Sequence, residues 1–510
     1  MLTYSYLCRQ ESKTIIMCKR LLFTGLLLTS FILNSLGQGI VIHLKDGSTT
    51  IIPTKNVESI TMLSADEGYI IGKWHLGFWK AGNNVVHFDG TEYMLFEGKK
   101  MIWAGRQDGS DEYTIAYAAD NKSFVATNIK NSNKDYWEIV KYTDKLLVLR
   151  SGGADRYFYN SQEAAINAQM ELDPPAHQET SDINKILTYA YGFTKSSSNP
   201  MGKHYEGRQA ATESDKQWLM DASNEPSAVA GLSRWIEKNV TLYPFSEPVP
   251  ADINQHAIGD CSAMAVFASL AYLYPDFVKT LITDNGNKTY TVKMYDPQGN
   301  PITVCVSNKI LCDAGGTIGQ VTGKNNAITW ATILEKAFMK WETRFHVDGV
   351  EGIGTEFLAP LFTGDGESYA FAPNTLHTSE HKAYIEWALN QGMIVIGGFT
   401  VGGLKCGELE TVTAHAFTYM LANSSDAIFA MRNPWGITSL DGVLQIPNER
   451  TIVQTIDVRA VKPGAAAPYL RKSITPYNPP AFTPQKSDIG VAPRLIERAK
   501  MVVNNTNELW

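Results

Sequence analysis

Asp252-Ile253-Asn254-Gln255-His256-Ala257-Ile258-Gly259-Asp260-Cys261 runs without a break into Ser262-Ala263-Met264-Ala265-Val266-Phe267-Ala268-Ser269-Leu270-Ala271-Tyr272-Leu273-Tyr274, and Pro275 closes the stretch. The second part is rich in alanine and apolar on every side. It predicts a helix buried all round at the centre of a domain, stopped by the proline. Cys261 falls in its first turn, where aligned peptide dipoles and unpaired N–H groups favour a thiolate. A reactive, low-pKa thiol is therefore expected there, against the plainer alternative of one more buried cysteine.

A nucleophile needs a base and a group to orient it. Residues 413–421 alternate as a strand, and 427–432 follow as another across Asn423-Ser424-Ser425. A hairpin centred on Ser424 sets His415 directly opposite Asn433, within side-chain reach. Pro434 ends the pairing, and Trp435 can cover the pair. A cysteine at a helix start, with His and Asn 154 and 172 residues downstream, is the chain order of papain-like cysteine proteases.

Four segments sharpen this. Gln255-x-x-x-Gly259-Asp260-Cys261, Trp330-x-x-x-Leu334-Glu335-Lys336-Ala337, His415-Ala416-Phe417 and Arg432-Asn433-Pro434-Trp435-Gly436 together resemble the calpain-like branch of that superfamily, over residues 245–440. The resemblance implies a papain-like α+β fold and a cysteine endopeptidase acting on protein or peptide substrates. It implies Cys261 as nucleophile, His415 as general base and acid, Asn433 as the orienting amide and Trp435 as its shield. Gln255 and the Cys261 backbone N–H would form the oxyanion hole, and catalysis would pass through an acyl-enzyme. Ser262 departs from the family, which carries Trp there. Asp252 stands where the family places an acidic calcium ligand, so it is a candidate metal residue, with Asp348 or Glu351 as a second carboxylate. No other cofactor is implied. The family's second calcium site is matched by a single acid, Asp441, and no EF-hand loop occurs.

Ahead of this block the texture is different. Nine short strands (73–79, 85–88, 93–96, 100–104, 113–117, 124–129, 136–141, 145–150 and 156–159) are punctuated by turn residues, with no helical period. They predict an antiparallel meander closed into a small barrel. Gly72-Lys73-Trp74 resembles the opening of lipocalin-like domains. At this size an interior filled by side chains is the expectation, a ligand cavity the alternative. The chain then divides into a signal segment at 1–37, a β-hairpin at 38–66, the lipocalin-like barrel at 67–160 and a linker at 161–182 containing Pro174-Pro175. The protease domain follows at 183–460, with helices at 215–221 and 229–239, and a proline-rich extended tail at 461–510.

Met17-Cys18-Lys19-Arg20 and the apolar residues 21–36 have the form of a secretory signal with cleavage before Gln38. The mature chain is expected to be secreted, periplasmic or on the cell surface. Asp46-Gly47 marks a hairpin turn just beyond. Of the later cysteines, Cys305 and Cys312 flank Asn308-Lys309 symmetrically, so they are either a disulfide across a hairpin or two buried thiols. The remaining histidines, including His377 and His381, are expected at the surface without a third ligand. Gly397-Gly398 and Gly402-Gly403 are expected to mark strand ends, and Glu335-Lys336 to form a structural ion pair.

Composition narrows the function classes. The chain has 510 residues, 44% of them hydrophobic and 19% charged, with a formal net charge of −7. That length suggests three to four folding units. An acidic chain without a basic run excludes a nucleic-acid partner, and no apolar stretch is long enough for a membrane span. The sequence sets no oligomeric state. Two other readings are a secreted ligand- or surface-binding protein with a degenerate protease domain, and a transglutaminase-like acyltransferase, in which Asp usually replaces the residue at Asn433.

Overall fold

The computed structural model of the chain describes residues 69–481, apart from 83, 89, 107–108, 167, 169–174, 191–197, 374, 407–408, 437–439 and 448–455. Five strands are described ahead of these. Thr14–Lys19 pairs with Tyr4–Leu7 and, in parallel, with Ser59–Ser64. Ile40–His43 and Thr49–Ile52 form an antiparallel hairpin with Ile40 opposite Ile52. The apolar run at 21–36, the cleavage position before Gln38, Pro174 and the tail beyond 481 lie outside the described residues. The chain separates into two compact units, Met1–Met170 and Glu171–Trp510.

Within residues 72–159 of the first unit, eight strands pair in series. Gly72–Ala81, Tyr93–Glu97, Lys100–Arg106, Gly109–Tyr117, Ser123–Asn128, Lys134–Tyr142, Leu146–Ser151 and Ala154–Tyr159 form an antiparallel series. The last returns to the first, with Phe158 opposite Leu76, and closes an eight-stranded barrel. Asn84–His87, the ninth strand, folds back on the far end of the first, with Phe78 opposite His87. Period-two alternation sends one face inward. Trp74, Leu76, Met94, Phe96, Phe124, Trp137, Leu149 and Phe158 are all buried in one cluster and fill the interior. The short helix Gln162–Ile166 follows and buries Ala165.

The second unit is α+β. Cys261–Leu273 is the central helix, and every residue from Ser262 onward is buried. Among the described residues no single helix is long and apolar enough to cross a membrane. The central helix packs on the helix Trp330–Phe345, which itself contacts a three-stranded sheet of Ile282–Asp284, Thr289–Tyr295 and Pro301–Ser307. It also packs on an antiparallel six-stranded sheet in the order Ser368–Phe371, Ile456–Val461, Ile394–Phe399, Phe417–Met420, Ala427–Arg432, Val443–Pro447. Thr418 Oγ1 donates to the Ala265 carbonyl at 2.6 Å, pinning the third of these strands from the end to the central helix.

Several expectations are corrected here. Residues 229–239 are not helical: Arg234–Glu237 is a strand paired with Lys309–Cys312, and Trp235 stacks under the Lys336 ammonium at 4.6 Å. That pairing also removes the supposed Cys305–Cys312 hairpin. Cys312 faces Arg234, Cys305 faces Thr291, and both thiols are free. Gly397 and Gly398 lie inside a strand, not at its end. His381 is fully buried, His75 and His87 are buried, and His377 is half-buried. Glu335 and Lys336 do not pair with each other: Lys336 is bound by Glu225 at 2.6 Å and by the carbonyls of Ser307 and Lys309. The described part of the tail is tied down. Tyr272 Oη donates to the Thr475 carbonyl at 2.8 Å, and Arg471 binds Glu247 at 3.0 Å.

Candidate active site

Cys261 begins the central helix, with its sulfur directed to the backbone N–H of Ala416, the residue after His415. His415 is delivered by an unusual approach. Ala414 adopts a left-handed φ of 51°, and Gly398 of the neighbouring strand passes so close that a Cβ there would lie 2.4 Å from the His415 carbonyl oxygen. Any side chain at 398 would displace His415.

His415 Nε2 lies 2.8 Å from Asn433 Oδ1, and the Trp435 backbone N–H donates to the same oxygen at 3.0 Å. Two donors converging on Oδ1 fix the amide orientation, so Nε2 carries the ring hydrogen and Nδ1 is left as the basic nitrogen. The Trp435 ring covers the imidazole at 4.5 Å between centroids. The hairpin register differs from the expected one by two residues. Thr418 faces Arg432 and Met420 faces Ala430, so the position opposite 415 belongs to 435, and Asn433 reaches the imidazole diagonally.

The charge state also differs from expectation. Burial pushes the Cys261 thiol up to about 11, and burial lowers the His415 imidazole to about 4. Residue 261 itself is only partly covered, so it is the surrounding protein that desolvates the sulfur. The helix terminus does not outweigh this. Among the described residues no hydrogen bond joins the sulfur to the imidazole, and burial favours the uncharged form of each group.

Gln255 is buried and turned inward. Its Nε2 donates to the Ile258 carbonyl at 2.8 Å and reaches Asp260 Oδ1 only at 3.5 Å, so one amide hydrogen is weakly engaged and Oε1 is unpartnered. Behind it, Asp260 and Glu335 form a buried carboxyl pair. Burial first, and then Asp260, hold the Glu335 carboxyl well above its usual range, so Glu335 keeps a proton for Asp260. Glu335 also accepts from Gln320 Nε2 at 2.9 Å and from the Val321 N–H. Ser262 Oγ donates to the Ile353 carbonyl at 2.7 Å.

The loops carrying Gln255 and Asn433 are tied together. The Gln255 N–H donates to the Pro434 carbonyl at 3.0 Å, and Arg432 to the Ile253 carbonyl at 2.8 Å. Lys324 Nζ donates to Asn254 Oδ1 at 3.0 Å, to the Gly436 carbonyl at 2.9 Å and to Asp441. Asp441 also binds Arg432 Nε at 2.9 Å and accepts from Tyr477 Oη at 3.0 Å. Burial alone would raise the Asp441 carboxyl, but Arg432 and then Lys324 overcome it and hold it below its ordinary range. Gly436 has φ of 63° and a Cβ there would come within 2.3 Å of Asn254 Oδ1, so the crossing of these loops requires glycine.

Asp252 is neither a surface residue nor part of a carboxylate cluster. It is fully buried, accepts from Trp330 Nε1 at 2.6 Å and the Val249 N–H at 3.2 Å, and burial raises it to about 7. Asp348 is bound to His204 at 2.6 Å and Glu351 to the Gly259 N–H at 2.7 Å, while Asp441 is taken by two cations. Calcium needs six or more oxygens. One carboxylate oxygen without a partner at Asp252 does not make such a site.

Residues 233–446 match a family profile described as calpain family cysteine protease. This stretch is a calpain-family protease domain. Two curated calpain-type cysteine proteases are similar: DEK1 of Zea mays is 25% identical and ADL1 of Oryza sativa subsp. japonica 24%, each over 242 residues that make up 43% of this chain. The match covers 11% of each relative, so the chain spans about a tenth of the length of the curated relatives it matches. Two solved structures also match at 12% identity, a lipocalin-like protein from Bacteroides uniformis and an uncharacterized protein from Bacteroides eggerthii. Each match covers 18% of this chain and 97% of the other, with a TM-score of 0.16. The calpain-like motifs place Cys261, His415, Asn433 and Gln255 around the head of the central helix. The roles of Lys324, of Gly398 and of the Asp260–Glu335 pairing were not legible in the sequence, because each acts through partners brought in by the fold.

Proposed function

We propose that this protein is an exported cysteine endopeptidase that hydrolyses peptide bonds through Cys261, His415 and Asn433. The supporting observation is the His415–Asn433 hydrogen bond, which leaves Nδ1 as the free base on the side of the domain where Cys261 opens its helix. With the resting pair neutral, His415 acts as a general base at the moment of attack. The thiol proton passes to Nδ1 as sulfur bonds to the scissile carbonyl carbon, and the carbonyl π pair moves to oxygen. That oxyanion takes donors from the Cys261 N–H and from Gln255, whose weakly engaged amide hydrogen turns outward. Collapse expels the amine, which takes the proton from His415. Water, deprotonated by the same nitrogen, then cleaves the thioester and restores the thiol. Export rests on Lys19-Arg20 and the apolar residues 21–36, and the boundaries at 37, 66, 160, 182 and 460 complete this reading of the chain.

Mass spectrometry of the purified chain with a mixed peptide library tests the reaction. New termini from internal cleavage are expected, and Cys261→Ala should reduce their rate by about 10⁴-fold or more while circular dichroism stays unchanged. Hydrolysis that survives in Cys261→Ala overturns the mechanism. Products joined to an added amine in place of hydrolysed ends would instead mark an acyltransferase.

A further inference from the structure

Within the second unit, residues that the peptidase chemistry does not use form a compact donor set. His177 precedes the short helix Ile183–Leu187, and His377 and Glu380 open the helix Thr378–Asn390. One ring nitrogen of each histidine and a Glu380 oxygen all lie within 4.8 Å of one another. His177 Nε2 stands 2.8 Å and 3.1 Å from the two Glu380 oxygens. The Thr180 and His377 backbone N–H groups donate to that carboxylate at 2.9 Å and 2.8 Å. His377 Nε2 lies 2.8 Å from the His177 carbonyl, and the His177 ring stacks on Tyr189 at 3.7 Å.

The charge balance of this cluster is the informative part. The Glu380 side chain is 0% exposed, while His177 keeps 16% of its side-chain surface. A buried carboxylate requires a compensating positive charge, and backbone dipoles supply only part of it. The three groups that face it are two amides and an imidazole, and an imidazole supplies charge only when protonated. A divalent ion supplies it without a proton. Two imidazoles and one carboxylate form the donor set that suits zinc-class ions, with a further position open to water on the exposed side. His381, one turn on from His377, is not part of the set: it is fully buried, and neither ring nitrogen has a hydrogen-bond partner among the described residues.

We propose that His177, His377 and Glu380 bind a divalent transition-metal ion of the zinc class. The ion would bridge two segments 200 residues apart in the chain, fastening residues 175–180 to the start of the helix Thr378–Asn390. The proton that His177 now directs at Glu380 moves to its other ring nitrogen, and the freed lone pair takes the metal. No catalytic residue is involved, so this proposal stands or falls apart from the peptidase reading.

The test uses the full chain carrying Cys261→Ala, which removes the thiol at the head of the central helix as a competing ligand. Titration with ZnCl2 by calorimetry should show one equivalent bound. His177→Gln, His377→Ala and Glu380→Gln should each weaken it at least about tenfold, while His204→Ala, a histidine paired to a carboxylate elsewhere, should leave it unchanged. Cobalt substituted for zinc should give the visible absorption of a low-coordinate site, lost in Glu380→Gln. His177→Gln changes a partly exposed segment, so folding is retained even if the buried Glu380 variant is unstable. The proposal is overturned if no stoichiometric zinc binds, or if binding in His177→Gln equals that of the parent.

Discussion

The barrel and the protease domain are wired in opposite ways. Each barrel strand pairs with its neighbour in sequence, and only the closure of Ala154–Tyr159 on Gly72–Ala81 is long-range. In the protease domain the strand next to Ile394–Phe399 on one side is Phe417–Met420, and on the other is Ile456–Val461. The candidate reactive groups come from positions 255–261 and 415–433, joined by Lys324, Asp441 and Tyr477 from three further places. Local wiring makes a fold that tolerates being read piece by piece. Long-range wiring makes a site that depends on charged groups buried where no local pattern announces them.

The first way to sharpen this contrast is the protonation state that the long-range fold imposes on Cys261. With the thiol raised to about 11, the thiolate fraction at pH 6 is minute and grows with pH. Alkylation of Cys261 by iodoacetamide should therefore rise about tenfold per pH unit, roughly a hundredfold between pH 6 and pH 8. A rate flat across that range would show a preformed thiolate–imidazolium pair and refute the neutral resting site.

The loop-tying network offers the next largest effect. Asp441→Asn leaves Lys324 and Arg432 buried without their counter-charge, which should cost about 3 kcal/mol in urea unfolding. Because both the Gln255 and Asn433 loops hang on these groups, kcat/KM should fall about tenfold as well. Lost stability with intact activity would mean that the network supports the fold without setting the site.

The barrel supplies the counter-test. Phe124 is fully buried among Phe96, Trp137 and Tyr117, so Phe124→Ala should destabilise the first unit by about 3–5 kcal/mol. Peptidase activity below that transition should stay within about twofold. A parallel loss of activity would show that the barrel is part of the enzyme's working core. The smallest effect is expected from calcium: excess chelator should leave peptide hydrolysis unchanged, since Asp252 is sealed against Trp330 while Asp348 and Glu351 are engaged by His204 and the Gly259 N–H. A loss restored by added calcium would break that conclusion.

What could be read in the sequence follows the same division. The nine strands between residues 72 and 159 were visible within a few residues, because alternation and turn residues act over a short range. The buried helix behind Cys261 was equally plain, since an apolar run has no other place to go. Residues 229–239 misled because Trp235 and Ile236 carry a strand whose partner, Leu311 and Ile310, lies far along the chain. The hairpin of His415 was visible but its register was not, since the turn at 423–426 absorbs more residues than symmetry about Ser424 allows. The thiol at Cys261 shows a different limit: a helix start favours a thiolate, but the desolvation that opposes it depends on the packed domain. Asp252 illustrates the same limit, a loop acid by sequence that the fold seals against Trp330.

Lys324 carries one more consequence. Its ammonium meets a side-chain oxygen from one loop and a carbonyl and a carboxylate from another, the coordination task that a diffusible ion could perform. Here the charge is delivered by translation itself, in fixed one-to-one stoichiometry. It cannot be diluted away, competed off or awaited. A junction closed by such a tethered cation is complete in every folded copy, whatever ions the surrounding solution holds.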